Sequence, residues 1–134
     1  MCSSDLADAQ ARMGYLHHRG LHVQRDYAEA FKYFMMAARQ GDAESQARLG
    51  QYFEEGLGVA QDYTQALRWT QDAAKRGVPE AQARLGNFYD QGVGVGRDYK
   101  RASENFLKAA EQGIPEAQER IAQYFERGLG VATS

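Results

Sequence analysis

Cysteine and proline are scarce in this sequence of 134 residues. Cys2 is the only cysteine, so no disulfide can form within the chain and a disulfide-stapled fold is excluded. Two prolines stand against 14 glycines. That ratio indicates turns that recur at regular places rather than a disordered chain.

A surplus of basic charge is also missing. The 16 lysines and arginines are balanced by 18 acidic residues, which gives a net charge of -2 and argues against a nucleic-acid or anionic membrane partner. No apolar run approaches the roughly 20 residues that a transmembrane helix needs. The length fits one domain with a real core.

What the sequence does contain is a repeat of 36 residues without insertions or deletions. A search for internal periods comes first because a missed repeat misassigns the whole fold. The positions that recur at this spacing include Gly20, Gly56, Gly92 and Gly128; Asp26, Asp62 and Asp98; Tyr27, Tyr63 and Tyr99; and Gly41, Gly77 and Gly113. The predicted units are a leader at 1–6, repeats at 7–42, 43–78 and 79–114, and a half repeat at 115–134.

Each full unit is predicted to hold two helices, which we call helix A and helix B. In the second unit, helix A runs from about Ala43 to Glu55 and ends at Gly56, a residue suited to a left-handed C-terminal position. Asp62 is the predicted N-cap of helix B, with Gln65 completing a capping box. Asp26 and Glu29 form a second predicted capping box. Helix B of the second unit is predicted to end near Arg76 and Gly77, and Pro79 and Pro115 are predicted to start the next helices A.

Helical spacing also predicts which residues pack. Gln46, Leu49, Gly50 and Phe53 share one face of helix A. A glycine inside a helix costs about 1 kcal/mol relative to alanine, so its recurrence predicts close backbone approach. The remaining predicted core positions are Gly14 and Gly86 in helix A, and Ala66, Trp69, Ala73, Ala74 and Tyr33 in helix B. Two such helices cannot bury both faces alone, whereas stacked copies can.

The stretch Ala47–Val59, followed by Asp62, Ala66, Trp69 and Gly77, closely resembles the Sel1-like repeat, which is related to the tetratricopeptide repeat. The resemblance covers residues 7–134. It implies an all-α fold, a right-handed α-solenoid of antiparallel helix pairs with about three and a half repeats, whose helices A line a concave surface. It also implies a non-enzymatic scaffold or adaptor that binds proteins, as bacterial and eukaryotic members commonly do.

The face of helix A opposite the predicted core carries polar side chains. Repetition gives an arginine ladder and a second row beside it: Arg12, Arg48, Arg84 and Arg120, then Tyr15, Gln51, Asn87 and Gln123. We predict that these eight residues bind a partner segment on the concave face, because planar polar donors suit a peptide backbone or carboxylates. The alternative is purely structural, since an acid precedes each arginine by four residues and such a pair stabilises a helix by roughly 0.2–0.5 kcal/mol. That pairing would neutralise the arginines, so a highly acidic ligand is not expected.

No arrangement typical of catalysis or of a cofactor site is found. The serines and Cys2 have no catalytic setting, and the glycine-rich loops lack the Gly-Lys-Ser/Thr of a phosphate loop. His17, His18 and His22 are close in sequence, but Gly20 should end the helix between them and the first two point about 100° apart. We therefore predict no enzyme activity, no cofactor and no metal.

The two ends of the chain leave alternatives open. Ser134 falls at the position of the next helix B N-cap, so the fourth helix A lacks its partner. Either the sequence belongs to a longer array, or the half repeat self-associates near Tyr124 and Phe125. Cys2 suits either an ordinary leader or the lipid-modified cysteine of a bacterial lipoprotein. The cytoplasm and the bacterial periplasm or envelope both remain open, and the alternative function is an envelope protein that binds a small molecule or a cell-wall fragment.

Overall fold

The computed structural model describes residues 3–20 and 26–130. In this part of the chain, seven α-helices and no strand are present. The helices are α1 (Ser3–Arg19), α2 (Tyr27–Arg39), α3 (Ala43–Glu55), α4 (Tyr63–Lys75), α5 (Pro79–Gln91), α6 (Tyr99–Glu111) and α7 (Pro115–Arg127). Helices A and B alternate along the chain, which confirms the predicted all-α class. Among the helices so described, none is long and apolar enough to cross a membrane.

The helix ends follow the local chemistry of the sequence. The predicted range of the second helix A, Ala43–Glu55, is the range observed for α3. Gly56 ends that helix with a φ of 70° and donates its N–H to the Tyr52 carbonyl, as a left-handed C-terminal glycine does. The two prolines start α5 and α7. Helix α4 ends at Lys75, one residue before the predicted end. Helix α1 begins at Ser3, so it includes residues 3–6 of the predicted leader.

The capping boxes are realised only in part. Each predicted N-cap aspartate accepts a hydrogen bond from the backbone N–H three residues later, at 3.1 Å for both Asp26 and Asp62. In a capping box, the aspartate's own N–H would bond to the side chain at that third position. Here it donates to the preceding helix A instead, as Asp62 does to the Phe53 carbonyl at 2.9 Å. The cap therefore joins helix B to helix A and leaves the Gln65 side chain unnecessary.

The chain divides into two compact units, Met1–Ala73 and Ala74–Ser134. In the first unit, α1 and α2 run antiparallel. Near the end of α1, the His18 ring lies 5.7 Å from the ring of Tyr27 at the start of α2. Near the start of α1, Ala7 and Ala11 share a buried cluster with Ala37 at the end of α2.

Helix α3 packs on the same α2. The rings of Phe31 and Phe53 are 5.5 Å apart, and those of Phe34 and Tyr52 are 5.6 Å apart, both in edge-to-face geometry. Such aromatic pairs contribute about 0.5–1.5 kcal/mol beyond the area that they bury. Helix α2, a helix B, therefore packs against two successive helices A, α1 and α3.

The second unit repeats this arrangement. At the junction of α5 and α6, the Asp98 N–H donates to the Tyr89 carbonyl at 3.0 Å. At the opposite ends of these helices, the Gln112 amide donates to Gln82 at 2.6 Å, so α5 and α6 are antiparallel. Helix α7 then packs on α6, where the rings of Phe106 and Tyr124 are 5.7 Å apart.

The glycines inside helices A mark the closest helix contacts, as the sequence predicts. A Cβ added to Gly14 would lie 2.7 Å from the Phe34 ring, and one added to Gly86 would lie 2.7 Å from the Phe106 ring. The same atom on Gly50 would overlap the hydroxyl of Thr70. These helices therefore pack at a distance that no side chain larger than hydrogen allows.

In helix B, the predicted core residues Ala66, Ala73 and Ala74 are buried, but the predicted aromatic core position was wrong by one residue. Trp69 and Tyr33 are only half-buried, whereas the next position along the chain, Phe34, Thr70 and Phe106, is fully buried. Phe34 lies four residues after Ala30 and four before Ala38, in the middle of the buried alanine stripe. Its neighbour at position 33 is rotated by about 100° to the edge of that stripe.

Candidate functional site on helices A

The eight predicted binding residues fall into two groups, one in each unit. We call the set the helix A face, and it consists of Arg12, Tyr15, Arg48 and Gln51 in the first unit and Arg84, Asn87, Arg120 and Gln123 in the second. Arg12 and Asn87 are exposed, and the other six are half-buried. The partial burial has a cause that the sequence did not indicate, namely contacts between successive helices A.

In the first unit, the structure brings three of these residues together. The Arg48 guanidinium lies over the Tyr15 ring, 5.0 Å from its centroid, and its Nη1 donates to the Gln51 amide oxygen at 3.1 Å. The acid predicted to pair with Arg48 is Glu44, but its carboxylate accepts from the Tyr15 hydroxyl at 3.4 Å. The contact thus runs from α1 to α3 and replaces the expected ion pair within one helix.

In the second unit, the ladder arginine Arg120 also contacts the preceding helix A. Arg120 donates to a carboxylate oxygen of Asp90 on α5, rather than pairing with Glu116 on its own helix. The other oxygen of Asp90 accepts from the Tyr124 hydroxyl. Asp90 and Arg120 keep 18% and 33% of their side-chain surface exposed, and the Arg120 guanidinium lies 5.4 Å from the centre of the Phe106 ring.

Two buried tyrosines at equivalent positions were missed by the sequence reasoning. Tyr52 and Tyr124 are 0% and 3% exposed, and burial raises the pKa of both hydroxyls above the ordinary value. The Tyr52 hydroxyl lies 2.6 Å from Nδ1 of His18, as that of Tyr124 bonds to Asp90. Phe88 fills the same position in the third repeat, so the 36-residue recurrence of an aromatic residue was the signal that could have revealed this contact.

The histidine cluster has other roles in the described residues. His17 stacks on Tyr33 with ring centroids 5.7 Å apart, and His18 bonds to Tyr52. His22 lies outside the described residues. Across residues 3–20 and 26–130, no group of three or more histidines, cysteines and acids is placed to hold a metal ion.

A pocket adjoins the helix A face in the second unit. It has a volume of about 230 Å³ and is lined by Arg120 and Gln123 of the face together with Asp90, Arg97, Tyr99 and Arg127. Its lining is predominantly polar and rich in guanidinium groups. The sequence reasoning did not foresee it, because Arg97 lies in the loop before α6 and Arg127 at the end of α7.

The fourth repeat exposes one of the two aromatic residues that the sequence placed near an uncovered surface. The sequence placed both Tyr124 and Phe125 near an uncovered surface. Tyr124 is buried against α5 and α6, whereas Phe125 is 52% exposed on the outer side of α7. Of these two aromatic residues, Phe125 is the one that offers apolar surface.

Comparison with known proteins agrees with this geometry. The family model of the Sel1 repeat matches residues 7–42, 43–78, 79–114 and 115–133. Two solved structures are similar to nearly the whole chain. One is a protective antigen, c5321, present in uropathogenic Escherichia coli strains and displaying an SLR fold (36% identity, TM-score 0.89, 93% of this chain). The other is a Sel1 repeat protein from Oxalobacter formigenes (31% identity, TM-score 0.87, 96% of this chain).

This chain spans only part of those two proteins, 27% of the first and 53% of the second. Helicobacter pylori cysteine-rich protein B shares the fold at 20% identity, with a TM-score of 0.70 over 87% of this chain and 92% of that one. No protein of curated function matches the chain in sequence. The structural neighbours and the family model together confirm the predicted class of an all-α solenoid built from helix pairs.

Proposed function

Because this chain belongs to the Sel1 repeat family, whose members typically act as protein–protein interaction scaffolds, we propose that it is a non-enzymatic adaptor that binds a segment of a partner protein on the helix A face. Repeat arrays bind partners along extended surfaces formed by stacked units. The residues of the helix A face provide guanidinium and amide groups in each unit, and Tyr15 adds a hydroxyl in the first.

The observation that carries this proposal is the setting of Arg48. Its guanidinium is fixed by two uncharged groups, the Tyr15 ring and the Gln51 amide. A guanidinium has five N–H donors, and one bond to Gln51 leaves others for a partner. A side chain that is already ordered also loses less conformational entropy when it binds.

The test is binding of a purified partner to a variant of the helix A face. The partner is first identified by affinity purification of the intact protein from its native cell. Arg48→Ala combined with Arg84→Ala should then weaken binding by about tenfold or more, since arginines that become buried under a partner often contribute a large share of the binding free energy. Circular dichroism should show an unchanged melt.

The matched control is Arg39→Ala combined with Arg68→Ala. These two arginines are exposed on helices B, so the control removes the same charge from a different surface. It should bind the partner as the wild type does. Equal binding by both double variants would exclude the helix A face as the partner site.

An envelope role is the second candidate, in which the chain binds a small molecule or a cell-wall fragment. It is favoured by the similarity to the protective antigen of uropathogenic Escherichia coli, because a protective antigen is accessible to antibodies. Cys2 would carry the anchoring lipid. A mass spectrum of the native N-terminal peptide decides the anchoring: a diacylglyceryl group on Cys2 supports it, and an unmodified thiol contradicts it.

Self-association through the fourth repeat is a property that can accompany adaptor function. The exposed Phe125 ring supports it, since apolar side chains on a helix surface gain free energy when a second copy covers them. Light scattering at high protein concentration tests it. A monomeric mass, or association unchanged in Phe125→Gln, would exclude this contact.

A further inference from the structure

The pocket beside the helix A face brings three arginines to one place in the second unit. Arg120 projects from the middle of α7, Arg127 from its last turn, and Arg97 from the loop that precedes α6. We call this site the arginine pocket. Its volume of about 230 Å³ has room for one small charged group and ordered water.

The charges in the arginine pocket do not cancel. Asp90 pairs with Arg120. Within the described residues, no salt bridge joins Arg97 or Arg127 to a carboxylate, and the Arg97 guanidinium lies over the Tyr99 ring, 5.8 Å from its centroid. Two positive charges therefore remain without a counter-charge at the mouth of one pocket.

Equivalent positions in other repeats show that neither arginine is needed for the fold. The position of Arg127 carries Glu55 in the second repeat and Gln91 in the third, and the position of Arg97 carries Gln61 in the second. Only the first repeat also has arginine at these positions, Arg19 and Arg25. Glu55 ends α3 as Arg127 ends α7. A requirement of the repeat architecture would not allow this reversal of charge, so the accumulation of arginines calls for another explanation.

We propose that the arginine pocket binds a carboxylate group, an acidic side chain or chain terminus, on the partner segment. Guanidinium groups are planar and hydrogen-bond both oxygens of a carboxylate at once. The partner segment is the source because Arg120 and Gln123 line the pocket and also belong to the helix A face. This inference rests on the proposed adaptor function and adds the chemistry of one contact.

In the structure, the charge pairing around the arginine pocket differs from the pairing that the sequence predicts. An acidic ligand was not expected because each ladder arginine would be neutralised by the acid four residues before it. Arg120 instead uses Asp90 of α5. The two arginines that create the surplus charge, Arg97 and Arg127, lie outside the ladder altogether.

The experiment uses the whole chain and a labelled hexaglutamate peptide as the probe. Fluorescence anisotropy should show binding of hexaglutamate and none of hexaglutamine. Arg127→Glu should weaken hexaglutamate binding by about tenfold or more, since the new carboxylate repels the carboxylates of the probe. Arg97→Gln, which only removes a charge, should weaken binding by a smaller factor. Both changes use residues that the chain itself places at these positions, so the fold should be retained.

The matched control is Arg68→Glu, which makes the same charge reversal on the exposed side of α4, where the third repeat carries Glu104. It should leave hexaglutamate binding unchanged. An equal loss in Arg68→Glu would mean non-specific attraction, and an unchanged affinity in Arg127→Glu would mean a different site. Either result overturns the proposal, as would the absence of binding.

Succinate and inorganic phosphate are tested in the same way as small-anion probes. If they bind with dependence on Arg127 while hexaglutamate does not, the pocket holds a free small anion and the partner-segment source is wrong. Failure here is distinguishable from failure of the adaptor function. Arg127→Glu would then still capture the purified partner, and the Arg48→Ala and Arg84→Ala double variant would still lose it.

Discussion

The hydroxyls of Tyr52 and Tyr124 tie one helix A to the next through an identical offset in sequence. The partner of the hydroxyl lies 34 residues before the tyrosine in both cases, His18 for one and Asp90 for the other. An imidazole and a carboxylate share little chemistry, but both form a hydrogen bond with a phenol hydroxyl. A tyrosine at this position therefore needs a hydrogen-bonding partner there rather than a particular residue.

Tyr124→Phe tests how much such a bond contributes. Phe88 fills this position in the third repeat, so the ring should still pack, while Asp90 loses one donor and keeps Arg120. We expect the free energy of unfolding in urea to fall by about 1–2 kcal/mol, the lower part of the range for bonds to charged groups because Asp90 is partly solvated. Tyr63→Phe, a change on an exposed ring, should stay within about 0.5 kcal/mol of wild type. Equal effects of the two changes would show that the bond to Asp90 does not stabilise the fold.

The same tyrosines predict a stability loss in alkali. Burial, the largest cause, raises the pKa of Tyr52 and Tyr124 above the ordinary value of 10.0. Above that pH the unfolded chain releases the phenol protons while the folded chain retains them, so the unfolded state binds fewer protons and stability falls as pH rises. Unfolding free energies measured at pH 8 and above pH 10 should show this fall. The double variant Tyr52→Phe and Tyr124→Phe should show a smaller fall; an identical fall would assign it to other groups.

The sequence did not allow the side chain that each arginine or tyrosine contacts to be predicted. The acid four residues before Arg48 and Arg120 is the obvious neighbour on an isolated helix. In the structure, Arg48 turns to Tyr15 and Arg120 to Asp90, each on the preceding helix A. Which neighbour prevails depends on how closely two helices approach, and that distance is fixed by packing rather than by spacing along one helix.

At the scale of helices, local sequence signals were sufficient to predict where helices end, but they were insufficient to predict the most buried position of helix B. Gly56, Pro79 and Asp62 act on their immediate neighbours, so α3, α4 and α5 begin or end where the sequence predicts within one residue. The most buried position of helix B depends instead on the opposing glycine of helix A. Trp69 is the largest apolar residue of α4, but it is Thr70 that faces Gly50.

Gly86→Ala tests this helix contact. The added methyl would lie 2.7 Å from the Phe106 ring, and overpacking of a tight core costs about 1–3 kcal/mol. That cost should outweigh the gain of up to about 1 kcal/mol in helix propensity, so the urea midpoint should decrease. Gly96→Ala is the control, because nothing lies within 4 Å of its added Cβ, and it should be neutral or slightly stabilising. A stabilised Gly86→Ala protein would mean that α5 and α6 do not pack this closely.

At the scale of the whole molecule, the repeat predicted the class and the family, because a 36-residue period with caps and glycines in register leaves few alternatives. It also predicts eight partner-binding residues on helices A, and this stays a prediction for the binding experiment. It did not predict the arginine pocket, since the positions of Arg97 and Arg127 carry arginine in the first repeat but glutamine or glutamate in the others that were compared. Such positions have no consistent residue type, and only the fold brings them together.

The central claim is that a protein partner lies on the helix A face, and site-specific photo-crosslinking in the native cell tests it most directly. A benzophenone amino acid replaces Asn87, an exposed residue of that face, or Leu107, which is 45% exposed on helix α6. The adaptor account predicts a discrete covalent adduct with a partner protein from position 87 and none from position 107. An adduct formed from position 107 with none from position 87 would contradict it.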